Sequence, residues 1–174
     1  MNKRHHGALI APGTLLGVGL GGFLDGIVLH QILQWHNMLS SVVFPTDLVT
    51  MKYNMVWDGL FHAFTWVMTV AGVALLWRAG QKPNVPWSTP TFVGSLCLGW
   101  GLFNLVEGII DHHLLGLHHV HPGPNQLAWD LGFLVFGALL VLIGWKLIRA
   151  GRTEATPRGA RPGQRIPTPV PRSV

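Results

Sequence analysis

Four long apolar runs dominate the chain, at about residues 14–38, 55–77, 92–118 and 127–148. Each has more than 20 residues, and at 1.5 Å per residue each suffices to cross a hydrocarbon layer of about 30 Å as a helix. The segments between them break helices. Residues 40–52 carry Pro45 and Asp47, and residues 78–90 carry Gly80, Pro83, Pro86 and Pro90. Val120-His121-Pro122-Gly123-Pro124-Asn125 reads as a tight turn. The pattern predicts an all-α fold, a four-helix transmembrane bundle within residues 1–150. In the first run Gly17, Gly19, Gly21 and Gly22 permit close approach of a neighbouring helix. The short basic start is followed by an apolar run too long for a cleaved signal peptide, so a retained helix is expected. From Gly151 to Val174, Pro, Arg, Gly and Thr prevail, which predicts a disordered basic tail.

Polar residues interrupt these runs in a repeating way. Asp25-Gly26-Ile27-Val28-Leu29-His30-Gln31-Ile32-Leu33-Gln34-Trp35-His36 returns 82 residues later as Glu107-Gly108-Ile109-Ile110-Asp111-His112-His113-Leu114-Leu115-Gly116-Leu117-His118, without a gap. Trp57-Asp58 returns as Trp129-Asp130 at an offset of 72, the second hairpin loop being shorter. Each half then holds two helices and both halves point the same way. The expected bundle is two parallel-repeat helical hairpins about a pseudo-two-fold axis along the membrane normal.

Composition agrees with a membrane protein: 49% of residues are hydrophobic and 11% charged, against about 25% charged in soluble domains. The net charge of +5 does not indicate nucleic acid, because the basic residues flank the apolar runs. Lys3, Arg4, Arg78, Lys82, Lys146, Arg149 and the five tail arginines fall on one side, and only Lys52 on the other. That asymmetry predicts a bacterial cytoplasmic membrane protein with cytoplasmic N- and C-termini. The single cysteine, Cys97, excludes an intrachain disulfide, a CxxC redox pair and c-type haem attachment.

Five of the seven acidic residues, Asp25, Asp58, Glu107, Asp111 and Asp130, lie inside the apolar runs. An ionisable side chain at mid-bilayer costs at least about 2.5–3.5 kcal/mol, and neighbouring carboxylates without cations repel or protonate. A bound cation resolves both costs. Histidine and carboxylate from facing helices are how di-iron and di-manganese sites are assembled. The candidate metal ligands are His30, His36, Asp58, His62, Asp111, His112 and His118. Asp25 and Glu107 sit deeper and are assigned as base or proton relay, or as further ligands. The donors suit a transition metal such as iron, copper or zinc.

Helical phase divides this set. Asp25 and His36 are eleven residues apart and share a face, as do Asp58 and His62 at i,i+4. His30 lies five residues past Asp25, about 140° away on an ideal helix. A π-bulge at Gly26 would align the two, and the same holds for Glu107 and His112 at Gly108. Simpler roles stand beside the ligand reading. His30 and His112 would serve as hydrogen-bonded core histidines, Asp58-His62 as a local pair, and Asp25 and Glu107 as protonated acids bonded across the axis. Asp130 would cap its helix, Trp57 and Trp129 would be interfacial aromatics, and His118, His119 and His121 a polar rim or a metal-capturing mouth.

The stretches GFLDGIVLHQILQWH, WDGLFH and EGIIDHH resemble a bacterial family of predicted membrane proteins, domain of unknown function 2243, over about residues 10–149. The resemblance implies the four-span fold and no particular activity. The leading functional expectation is a membrane metalloprotein with a mono- or dinuclear His/carboxylate site in the outer half of the bundle. A redox-active metal there would suit oxidation of an apolar, membrane-dissolved substrate. The alternatives are a non-catalytic metal carrier or assembly factor, an electron-transfer protein with haem between His30 and His112, and a structural partner in a membrane complex or homo-oligomer.

Overall fold

The computed structural model describes residues 7–83, 85–154 and 156–157. Helix α1 (Gly7–Asp25) runs directly into a π-helical segment, π1 (Gly26–Ile32). Helix α2 (Leu48–Gly80) follows, then α3 (Thr89–Glu107) with its own π-helical continuation, π2 (Gly108–Leu114), and α4 (Gln126–Glu154). Among the described residues, four helical stretches are long and apolar enough to cross a membrane: Gly7–Ile32, Leu48–Gly80, Thr89–Leu114 and Gln126–Arg152.

The helices pack in a row. α1 and α3 lie against each other, α2 covers α1, and α4 covers α3. Glycine sets the central contact: a Cβ on Gly17 would overlap the Leu96 carbonyl, and one on Gly99 the Thr14 carbonyl. Close backbone approach of this kind drives helix association in lipid, where apolar burial gains nothing. The inner helices are accordingly 44% buried over their apolar windows, against 11% and 17% for α2 and α4. A site shared between halves must therefore be carried mainly by α1 and α3.

Burial is inverted relative to a soluble protein. Asp25, His30, His36, Asn54, Asp58, Asn104, Glu107, His112, His118 and Asp130 are buried, while Trp66, Val73, Trp77, Val135 and Leu142 face outward. Such a molecule is stable only in an apolar solvent.

The helix starts follow ordinary capping rules. Asp47 Oδ1 accepts from the Val49 and Thr50 backbone N–H groups at 2.8 and 2.9 Å, and Thr50 Oγ1 accepts from Asp47 N at 3.1 Å. These bonds hold the Asp47 carboxyl below its ordinary range. Ser88 caps α3 by accepting from Thr91 N at 3.3 Å.

The helix ends depart from the sequence reading. π1 and π2 occupy corresponding positions after Asp25 and Glu107. They close with Leu33 N donating to Val28 O and Leu115 N to Ile110 O, both at 2.8 Å. Wider π turns bring residues five apart into line, which settles the phase question for both Asp25/His30 and Glu107/His112. Gln34 and Gly116 then adopt left-handed conformations, with φ of 51° and 56°, and stop the helices. Residues 33–38 and 115–118 therefore lie beyond the helical spans. His36 and His118 reach the interior from loops and not, as the eleven-residue spacing suggested, from a continuing helix face.

At the opposite end, residues 151–154 belong to α4, and Thr156–Pro157 (β2) pairs antiparallel with Pro86–Trp87 (β1). The rest of the tail expected to be disordered lies outside the described residues, as do His5 and His6.

Candidate metal centre

Six side chains from the motif and its copy converge between α1 and α3: Asp25, His30 and His36, with Glu107, His112 and His118. They form three overlapping triads, His30/His36/His118, Glu107/His112/His118 and Asp25/His30/Glu107. Within each triad the donor atoms lie within 4.8 Å of one another, and every member is buried. His30 Nε2 stands 3.3 Å from Asp25 Oδ2, and His118 Nε2 stands 3.7 Å from Glu107 Oε1. The His36 and His118 rings stack at 4.7 Å, and His112 meets His118 edge-on at 4.8 Å.

The imidazoles are held from behind. His36 Nδ1–H donates to Val120 O at 2.9 Å, and His118 Nδ1–H donates to Met38 O at 3.0 Å. A carbonyl only accepts, so each ring carries its proton on Nδ1 and turns an Nε2 lone pair inward. His30 Nδ1 bonds Asp58 Oδ1 at 3.0 Å, and His112 Nδ1 lies 3.5 Å from Asp130 Oδ1. Inside the cluster, Nε2 of His30, His36 and His118, Oδ2 of Asp25 and both carboxylate oxygens of Glu107 lack a hydrogen-bond partner. The centre thus gathers electron-pair donors at close range.

Two further carboxylates fasten the loops to the helices. Asp58 accepts from Asn37 Nδ2 at 2.7 Å and from Met38 N at 2.8 Å, besides holding His30. Asp130 accepts from His119 Nδ1 at 2.7 Å and from Val120 N at 3.0 Å. Burial, reinforced by the neighbouring imidazoles, pushes His36 down to about 2 and His118 down to about 4. Both rings are neutral at physiological pH, which is the form that ligates metal.

The structure brings His30, His36, His112 and His118 together with Asp25 and Glu107, and leaves three expected ligands outside the triads. His62 Nδ1–H donates to the Asp58 carbonyl one turn back at 2.7 Å, and its ring packs on Phe61 and Phe23. Asp58 stands behind His30 as an orienting group. Asp111 is half-buried and lines a groove beside Glu107. Asp130, considered from sequence as a helix cap, proves to be the counterpart of Asp58; the repeated Trp-Asp pair was the signal for it. The Met38 and Val120 carbonyls carry no side-chain signature. His121 packs against Trp35 and Trp129 outside the cluster.

The arrangement could hold a metal ion: its donors are N and O only, the second nitrogens of His30, His36 and His118 are hydrogen-bonded, and carboxylates lie in reach. Imidazole–carboxylate pairs behind ligating histidines are a regular feature of such centres. Neither the curated proteins nor the solved structures compared with the chain gave a match. A family model does match. Residues 12–151 fit the family described as predicted membrane protein (DUF2243), and the chain belongs to that family.

Proposed function

We propose that this protein is a membrane-embedded metal-binding protein whose ion or ion pair is held by Asp25, His30, His36, Glu107, His112 and His118. One observation carries the reading: inward-facing imidazole nitrogens and both Glu107 oxygens lack partners in a buried site. Leaving a buried acceptor unpaired costs about 1–3 kcal/mol, and more when it is charged. A cation satisfies all of them at once.

Each repeat contributes one carboxylate and two imidazoles, which suits one ion shared across the interface or two ions side by side. The donors fit iron, zinc, copper or manganese. Asp58 and the two loop carbonyls fix His30, His36 and His118 from behind, Asp130 stands 3.5 Å from His112 Nδ1, and Asp25 or Glu107 is placed to take a proton when not ligating. Matching bonds from His36 and His118, and from Asp58 and Asp130, support two parallel hairpins about a common axis. With the basic residues facing the cytoplasm, the centre lies in the outer half of the membrane. A redox-active ion would supply one-electron chemistry close to molecules dissolved in the lipid.

Haem between His30 and His112 is the weaker reading, because the His118 ring lies 5.8 Å from His30 and 4.8 Å from His112 and takes up the space a porphyrin needs. Helix adhesion by polar groups alone leaves the unpaired oxygens of Glu107 unexplained. A carrier or assembly factor uses the same six ligands and differs only in releasing the ion.

Elemental analysis of the purified protein tests the proposal. The expected result is about one or two transition-metal ions per chain, lost in His36→Ala and His118→Ala while helicity is kept. Folded wild-type protein that takes up no metal would overturn it, and a Soret band would return the haem reading.

A further inference from the structure

α2 and α3 flank α1 and touch through Phe61 and Phe103, whose ring centroids lie 5.9 Å apart, and a groove over α1 runs beside this contact. Its walls are Val18, Phe61, Phe64, Leu102, Phe103 and Val106, and its polar end is Glu107 with Asp111. The volume is about 310 Å³, at the lower end of the range for small-molecule sites. Its rim residues Phe64, Leu102 and Val106 are exposed although they lie inside the spans.

A second groove, of about 200 Å³, occupies the corresponding place over α3, with Gly21, Leu24, Asp25, Leu29, Trp100, Phe133 and Phe136. Position for position the two agree (Leu24 with Val106, Asp25 with Glu107, Phe133 with Phe61, Phe136 with Phe64). They differ in chemistry where Leu29 stands in place of Asp111 and Gly21 in place of Phe103, and where the second groove adds the buried Asn104. The second also has Trp100 where the first has Val18. Only the groove at Glu107 is therefore wide and doubly acidic. A second carboxylate beside lipid is costly, and neither helix geometry nor the metal centre calls for it, since Leu29 fills the same place in the other half.

We propose that this groove binds a membrane-dissolved molecule with an aromatic body and a hydroxyl head, the body between Phe61, Phe64 and Phe103 and the hydroxyl at Glu107 and Asp111. Asp111, half-buried at the polar end of the groove, accepts the hydroxyl proton in a hydrogen bond and, when protonated, donates one; the buried Glu107 carboxyl lies behind it and keeps that end polar. An aromatic body suits walls that carry three phenyl rings. This deepens the metal-centre reading by naming a substrate class for it, but binding itself does not need the ion.

The test is equilibrium dialysis of radiolabelled 1-naphthol against metal-stripped protein in lipid nanodiscs, with empty nanodiscs subtracted. Saturable binding is expected, weakened about tenfold by Asp111→Leu, abolished by Val106→Trp and unchanged by Leu24→Trp in the other groove. Leu102→Phe, a smaller filling change, gives the same direction should Val106→Trp fail to fold. Naphthalene should bind at least tenfold more weakly than naphthol. No binding above empty nanodiscs, equal loss from filling either groove, or equal binding of naphthalene or of 1-naphthylmethylammonium would each overturn the proposal. Because the protein is metal-free here, these outcomes are independent of those of the elemental analysis.

Discussion

His36 and His118 each donate an Nδ1–H bond to the carbonyl two residues beyond the other, at Val120 and Met38 respectively. Each loop thus supports the ring supplied by the other, and neither imidazole is correctly turned unless both loops are closed. Ser41 N donating to Leu117 O at 2.9 Å adds a third link between the same loops. Coupling is the physical consequence. His36→Ala is expected to loosen the 118–120 loop, and His118→Ala the 36–38 loop. Metal affinity in the double variant should then fall by less than the product of the two single losses, as for residues acting as a unit. A metal titration over this double-mutant cycle measures it; strictly multiplicative losses would show that the rings act independently.

His62→Ala separates the converging set from residues that are merely near it. His62 is satisfied by its own helix, so metal content should persist in this variant while thermal stability drops by about 1 kcal/mol through the lost bond. Metal loss equal to that of His36→Ala would place His62 among the ligands.

Asp58→Asn and Asp130→Asn address the groups behind the ligands. Loss of an outer-shell carboxylate is expected to reduce metal affinity about 10–100-fold without abolishing it. Asp58→Asn should have the larger effect, because Asp58 approaches its histidine at 3.0 Å and Asp130 at 3.5 Å. Competition against a chelator of known affinity gives both numbers.

Glu107→Gln gives a readout in which stability and function move in opposite directions. With both oxygens unpaired and buried, the carboxylate burdens the metal-free protein. The amide should leave that form as stable or more so, by up to about 1–3 kcal/mol, while weakening metal binding. Unfolding of metal-free and metal-loaded samples decides the matter. Destabilisation of the metal-free form would make Glu107 a structural group.

The pH dependence of the metal-stripped protein follows from His36 and His118, whose folded values lie at about 2 and about 4, below the ordinary 6.5. Between those values the unfolded chain binds protons that the folded one refuses, so stability rises with pH. The contribution of these two rings should be level above about pH 7 and fall on acidification from about pH 6.5 toward pH 4, by at most about 1.4 kcal/mol per pH unit for each ring. Melting temperatures measured between pH 8 and pH 4.5 would show this, and a melting point that climbs on acidification would contradict it.

Much of this architecture was legible in the chain. Run length gave four spans because hydrocarbon thickness fixes helix length, and the duplicated motif marked Asp25, His30 and His36 with their counterparts. The spacing of Asp25 and His30 put them on separate stripes of an ideal helix and left a π turn at Gly26 as the alternative, which only the structure decided. His62 misled, because an i,i+4 relation to Asp58 places both on one face without saying which way the ring turns. Its ring bends back to a backbone carbonyl and leaves Asp58 to His30. Nothing in the residue types distinguishes a ligand from the group standing behind it.

Length, residue size and local spacing thus account for the membrane-crossing helices, for the glycines that let a neighbouring helix approach α1 and for the inventory of acids and imidazoles. Only the tertiary structure decided that the helices stop at Ile32 and Leu114, that His36 and His118 enter from loops, and that Asp58 and Asp130 stand behind the cluster. The last two depend on hydrogen bonds to carbonyls and carboxylates ten or more residues distant, and such bonds exist only once the chain has closed on itself.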